Sequence, residues 1–420
     1  MPPDSSPPSF PQALGPTLLR AVANKGYEAA TAIQRHAIPA ILEGRDIVAS
    51  ASTGSGKTVA FALPLLRRLA GFDAATPRAL RGLILVPTRE LAAQVAGVIA
   101  SLAGHLPRQL KVLAVFGGVS INPQMMALRG GADIVVATPG RLLDLIDRNA
   151  LTLASVGILV LDEADRLLDL GFGEEIGRIQ SLLPAQRQNL FFSATFPPAI
   201  AVLAESLLRD PLRIEVRDLP RAAPDIVQRA IEVDAGRRTQ LLRHLIQNQG
   251  LGRALVFVAT KHAAEIVADK LRKAGIAAEP FHGELSQGRR KQVLLDFKQE
   301  SLHVVVATDV AARGIDIAAL PAVVNYDLPR SAVDYIHRIG RTGRAGESGM
   351  AISFVSAGTE AHFRLIEKRQ RLTIEREQVT GFEPVETRPL NAADPLLTGG
   401  VKGRRPSRKD KLRQAASGMP

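Results

Sequence analysis

The 420-residue chain contains no cysteine and no tryptophan, only three tyrosines, and 4% aromatic residues in all. Without thiols there can be no disulfide, no cysteine-ligated zinc and no thiol catalysis, and the composition suits a cytoplasmic protein. Few aromatics means few platforms for stacking on single-stranded bases. Nucleic-acid contacts are therefore expected on the sugar-phosphate backbone, which carries little sequence information. No run approaches the roughly 18 apolar residues of a membrane span, so no membrane partner is expected. The start, Met1-Pro2-Pro3-Asp4, has neither the basic residues nor the apolar stretch of a secretion signal.

Hydrophobic residues make up 46% of the chain, which excludes global disorder. At about 150 residues per domain, the length suggests two or three domains. The formal charge is +12, spread as +3 over residues 1–217, +5 over 218–380 and +4 over 381–420. A basic balance of this kind favours polyanionic partners through counterion release.

Short apolar runs alternate with helical patterns from about Leu14. The runs at 46–49, 82–86, 133–137, 158–161 and 190–192 are continuous rather than alternating, which predicts strands covered on both faces of a parallel sheet. Polar or glycine-containing segments follow each run, at the strand ends where doubly wound sheets bind ligands. A Pro-containing break at 217–224 reads as a linker, and a second series follows, with strands predicted at 254–258, 304–307, 323–326 and 351–355. The expected division is a disordered start at 1–9, domains at 10–216 and 225–380, and a basic, disordered tail at 381–420.

Ala51-Ser52-Thr53-Gly54-Ser55-Gly56-Lys57-Thr58 lies between a predicted strand and a predicted helix. Small residues let backbone N–H groups cradle phosphate oxygens, Lys57 can reach the terminal phosphates, and Thr58 can ligate Mg²⁺. The general phosphate-loop pattern begins with Gly, where this chain has Ala51. Asp162-Glu163-Ala164-Asp165 closes an apolar strand about a hundred residues later. Asp162 there can hold Mg²⁺ through water, and Glu163 can take a proton from an attacking water. In the second half, His337-Arg338-Ile339-Gly340-Arg341-Thr342-Gly343-Arg344 sets Arg341 and Arg344 three residues apart, where they can act as arginine fingers on a transferring phosphoryl group or form a basic, glycine-rich solvated loop.

These motifs, with Pro87-Thr88-Arg89-Glu90, Gly117-Gly118, Thr138-Pro139-Gly140-Arg141, Ser193-Ala194-Thr195, Phe281-His282-Gly283 and the run Ala307–Asp316, follow one another as in the DEAD-box family of ATP-dependent RNA helicases, which the chain resembles from about Phe10 to Phe354. The closing Gly381-Phe382-Glu383-Pro384 and short basic tail look like the bacterial RhlE-like subgroup. The resemblance implies an α/β fold of two tandem RecA-like domains, with the active site in the cleft between them. It implies ATP and Mg²⁺ as cofactors and RNA, single strands and short duplexes, as partner. Ribosomal or mRNA-decay proteins are further partners it would allow.

By position, the resemblance assigns ATP binding to Phe10, Gln34, Ser52, Thr53, Gly54, Ser55, Gly56, Lys57, Thr58 and Asp316. Catalysis falls to Lys57, Glu163, Arg341 and Arg344. Coupling between nucleotide and RNA falls to Asp165, Ser193, Thr195 and His337. Arg89, Gly118, Thr138 and Arg141 would line the RNA path in the first domain, and Arg290 and Thr308 in the second. One departure bears on adenine recognition. The family's Pro-Thr-Pro-Ile-Gln is Ala30-Thr31-Ala32-Ile33-Gln34 here, and Thr31 with Gln34 also fits a capping box. Gln34 can therefore read adenine or cap a helix. The tail at 401–414 can tether RNA or be a solvated end. Two rival functions stand beside the helicase: a DNA helicase of the same superfamily, and a clamp that holds RNA without useful turnover.

Overall fold

In the computed structural model, residues 9–51, 55–72, 77–196, 198–216, 226–312, 320–343 and 348–386 are described. The expectations for Ser52, Thr53, Gly54, Asp316, Arg344, the linker 217–224 and the tail beyond residue 386 fall outside them. The chain divides into two compact units, one carried by residues 9–216 and the other by residues from 226 on.

The first unit is a seven-stranded, all-parallel sheet: β1 (Ile47–Ser50), β2 (Gly82–Leu85), β3 (Val112–Val115), β4 (Ile134–Ala137), β5 (Ile158–Leu161), β6 (Gln188–Ser193) and β7 (Leu212–Glu215). They lie in the order β3-β4-β2-β5-β6-β1-β7. Every residue of β2, β4, β5 and β6 is buried, as continuous apolar runs require. Successive side chains feed opposite faces: Ile84 and Val86 join one apolar cluster, Leu83 and Leu85 the other.

The second unit repeats the plan with β8 (Ile226–Glu232), β9 (Ala254–Val258), β10 (Ala278–Phe281), β11 (Val304–Thr308), β12 (Ala322–Asn325), β13 (Gly349–Val355) and β14 (Arg376–Glu377). Their order is β10-β11-β9-β12-β13-β8-β14, which is the first unit's order strand for strand. The predicted strands all occur within a residue or two. The sequence pattern missed β3, β7, β8, β10 and β14. Four of these, β3, β7, β10 and β14, are outer strands and β8 is half-exposed; β10 also contains Pro280, which a sheet edge tolerates.

The boundary expected at residue 380 needs correction, because residues 381–386 are packed on the second unit. The Phe382 ring lies 5.3 Å from the His244 ring, and the Arg237 guanidinium sits 5.2 Å from its centroid. The buried Asp234 carboxylate accepts the backbone N–H groups of Val385 at 3.1 Å and Glu386 at 3.0 Å. Removing that acceptor strands both donors, so Asp234→Ala is expected to cost about 1–3 kcal/mol. Urea unfolding of the second unit checks this, with earlier protease cleavage near residue 386 as a second readout.

Candidate active site

The polar groups of the first unit collect at the carboxyl ends of its strands, where a parallel sheet leaves a crevice. β1 runs into the phosphate loop, whose last residue, Gly56, takes a left-handed φ of 92° before helix Lys57–Leu69 begins. A Cβ on Gly56 would lie 2.5 Å from Gln34 Nε2, so only glycine fits. Lys57 is buried, and its ammonium donates to the Ala51 carbonyl at 3.0 Å. The loop's strongest cation is thus turned back on the loop itself.

Gln34 is held at both ends. Its Oε1 accepts the Thr31 N–H at 2.9 Å, closing the capping box, and its Nε2 donates to the Gly56 carbonyl at 3.1 Å. The capping geometry is therefore present, and it ties this helix to the phosphate loop. Phe10 is also placed differently from an open stacking platform. It is 6% exposed and belongs to the apolar cluster of the first unit, so stacking on adenine would require withdrawing it from that core.

β5 delivers Asp162 and Glu163, both buried. Burial pushes the Asp162 carboxyl up to about 6 against the pull of the nearby Lys57 ammonium. Its Oδ1 accepts the Glu163 N–H at 3.0 Å. Glu163 sits at φ 53°, in the left-handed region that non-glycine residues enter at a cost. One of its carboxylate oxygens is held at 2.8 Å by Arg166, a buried guanidinium whose Nη2 has no partner among the described residues. Sequence reading missed Arg166, although its i,i+3 spacing from Glu163 is the signal for such a pair. Asp165 accepts both the N–H and the hydroxyl of Thr195, at 3.0 and 2.8 Å. Ser193 completes the knot by accepting from the Asp165 N–H and donating to the Thr195 carbonyl. Three of the four expected coupling residues are thus in direct contact.

The four first-unit residues expected on the RNA path also converge. Arg89 donates to the Gly118 carbonyl, Thr138 accepts from the Gly117 N–H, and Arg141 donates to the Val119 carbonyl at 2.8 Å. Arg141 is buried, with Nη1 unpartnered among the described residues. Gly118, at φ 73°, admits Arg89 where a Cβ would lie 2.4 Å from its Nη1.

In the second unit, His337 lies in helix Ala332–Ile339, Arg341 is buried just beyond it, and Thr308 ends β11. Arg290, expected on the RNA path of this unit, is buried in it. It is 2% exposed, stacks 4.5 Å from the Phe281 ring and donates to the His282 carbonyl at 3.1 Å. It shapes the loop after β10 from beneath. Arg338, also unforeseen, grips Asp309 through Nε and Nη2 at 2.6 and 2.7 Å and reaches Asn325 at 3.0 Å.

Mg²⁺ usually keeps several waters and takes one or two protein carboxylates plus substrate phosphates. The residues fit that habit. Among the described residues no cluster of three His, Asp or Glu could hold a metal, yet Asp162 is a buried carboxylate beside a phosphate loop, whose ionised form an arriving cation would stabilise.

Residues 31–202 match the family described as DEAD/DEAH box helicase, and residues 237–346 match the helicase conserved C-terminal domain. The chain is 40% identical over 388 residues to the ATP-dependent RNA helicase DeaD of Mycobacterium tuberculosis, covering 92% of this chain and 68% of that protein. It is 39% identical over 363 residues to the DEAD-box ATP-dependent RNA helicase CshA of Geobacillus kaustophilus, covering 86% and 76% respectively. Among solved structures, S. cerevisiae Dbp5 bound to RNA and ADP BeF3 is similar with a TM-score of 0.77 and 31% identity, covering 88% of this chain and 95% of that one.

The raised Asp162 carboxyl carries a stability consequence. An unfolded aspartate titrates near ~4. Below that pH the Asp162 carboxyl is protonated in both states and burial costs it no charge, whereas the full penalty applies above about 6. Without divalent cation, Asp162→Asn is expected to stabilise the first unit by about 1–3 kcal/mol at about pH 7, and the gain should vanish as pH falls toward ~4. Urea titrations at the two pH values measure it.

Proposed function

Because the chain belongs to the DEAD-box family of ATP-dependent RNA helicases, we propose that the cluster at the first sheet's carboxyl edge is its ATPase centre, wired to an RNA-binding corner on the same unit. The protein is an RNA-dependent ATPase and RNA helicase. The observation that carries the site assignment is the Asp165–Ser193–Thr195 knot. It joins the strand bearing Asp162 and Glu163 to the strand beside the phosphate loop.

On binding ATP, Lys57 would leave the Ala51 carbonyl for the β- and γ-phosphates, while backbone N–H groups at the start of helix Lys57–Leu69 cradle them. Thr58 and Asp162 would hold Mg²⁺, partly through water, and the ion neutralises charge on the phosphates. Glu163 would accept the proton of the attacking water through the oxygen that Arg166 leaves free. Arg341 and Arg344 would supply positive charge to the transferring phosphoryl group, and Asp316 would lie against the ribose. No single unit holds all these groups, so hydrolysis would need the two units to close on one another. His337 would meet the coupling knot on closure.

RNA would lie on Arg89, Gly118, Thr138 and Arg141, where the arginine guanidinium groups would pair with phosphates. Thr308 would extend the path on the second unit. Base-pair steps are worth about 1.4 kcal/mol on average, so one closure that bends the strand can open a few pairs but not a long duplex. The protein would act locally, without processive travel and with little sequence preference. Ribosomal or mRNA-decay proteins, a cytoplasmic setting and RhlE-like membership fit the same reading.

Phosphate release from ATP tests the proposal, measured alone, with single-stranded RNA and with matched DNA, using Lys57→Ala as control. RNA-specific stimulation that Lys57→Ala abolishes is expected. Equal stimulation by DNA would favour a DNA helicase, while slow turnover with slow RNA release would favour a clamp. Adenine reading by Gln34 has its own test: Gln34→Ala should narrow the ATP-over-GTP preference, and an unchanged preference would leave Gln34 only its capping and loop contacts.

A further inference from the structure

The amino-terminal edge of the first sheet carries a feature that plays no part in the site above. A groove of about 860 Å³ lies between the start of β2, helix Asn122–Leu128 and the segment that follows helix Pro139–Asp147. Its walls include Leu80, Met125, Met126, Leu128 and Leu151. Met126 is 58% exposed and lies beside the apolar lining of the groove. The rim is basic. Arg78, Arg129 and Arg148 line it, and no Asp or Glu does so among the described residues.

Arg78 is committed, because with Arg108 it clamps Asp133, each at 2.7 Å. Arg129 and Arg148 are exposed, and neither pairs with a carboxylate among the described residues. The floor is fixed in advance. Gly130 and Gly131 take φ values of 75° and 80°, the Arg78 N–H donates to the Gly130 carbonyl at 2.9 Å, and a Cβ on Gly131 would lie 2.0 Å from the Arg78 oxygen. A preformed groove loses little conformational entropy when it is filled.

Its chemistry selects the occupant. No aromatic side chain lines it, so it offers no stacking platform for bases. Adjacent methionines repack readily around varied apolar side chains. We propose that this groove docks an acidic amphipathic peptide segment of a partner protein. Its apolar side chains would sit against Met125, Met126 and Leu151, and its carboxylates would pair with Arg129 and Arg148. The groove faces the amino ends of the strands, whereas the phosphate, coupling and RNA candidates sit at the carboxyl ends. Docking there leaves ATP turnover unobstructed and would serve to recruit the protein to an assembly.

The test uses the full chain and a panel of fluorescein-labelled peptides of about 12 residues that alternate Leu or Ile with Asp or Glu, with Lys-substituted counterparts as controls. Fluorescence anisotropy should show binding by acidic members only, weakening as salt rises. Arg129→Glu/Arg148→Glu and, separately, Met126→Asp should each weaken it about tenfold. RNA-stimulated ATP hydrolysis should be unchanged in both variants, which also shows that they fold. Absence of acidic-peptide binding above the Lys controls, or equal affinity for the variants, would overturn the proposal. So would loss of single-stranded RNA affinity in the double arginine variant, which would assign the rim to nucleic acid.

Discussion

The register of β1 against β6 underlies the chemistry of the first unit. Ser50 is paired with Ser193, and the Ala51 N–H continues the ladder to the Ser193 carbonyl at 3.2 Å. That pairing sets the root of the phosphate loop beside the segment that binds Asp165. The neighbouring ladder pairs Leu161 with Phe191, which brings Asp162 into the same crevice. A slip of one residue would reverse every side chain on the strand. Register is held by the apolar faces, with Phe61 and Phe192 packed 5.4 Å apart beneath the loop. Fixed packing below therefore determines geometry above.

What that geometry assembles is not favourable for folding. Asp162 is buried with its carboxyl displaced upward, Glu163 adopts a left-handed backbone, and buried guanidinium N–H groups of Arg141 and Arg166 lack partners among the described residues. Each feature costs stability in isolation. Together they concentrate unfavourable burial and strain at one end of the sheet, which is what the proposed phosphate, cation and RNA sites would relieve. Lys57 on the Ala51 carbonyl is the complementary case, a cation satisfied internally until a better acceptor displaces it.

The sequence exposed the parts of this arrangement that depend on local order. Buried strands were visible because both of their faces are apolar, and the loop and carboxylates because their spacing is short. Burial was not visible. Nothing in the residue order shows that Arg141, bonded to the Val119 carbonyl, and Arg290, stacked under a loop on Phe281, are both buried. Nor does it show Phe10 drawn into the core or Phe382 packed against His244, since both contacts depend on tertiary partners. The Thr31 and Gln34 spacing correctly announced a capping box, but the second bond from Gln34 to Gly56 spans 22 residues and could only be seen in space.

The two units share one topology, yet their strand ends are furnished differently, and this separates their roles. Where β1 runs into a glycine-rich loop, its counterpart β8 runs into Asp234, whose carboxylate is taken by backbone donors at 385 and 386. An acidic group there opposes phosphate binding. Where β5 ends at the strained Asp162–Glu163 pair, its counterpart β12 leads to Asp327, neutralised by Arg238 and by the Ala259 N–H. Thr138 after β4 and Thr308 at the end of β11 correspond, but the next residue is Pro139 in the first unit and, in the second, Asp309, locked to Arg338. Asp234, Asp327 and Asp309 are thus each spent internally, in contacts that hold the second unit together. The basic residues His337 and Arg341, at the end of helix Ala332–Ile339, are what the proposed ATPase would draw from this unit.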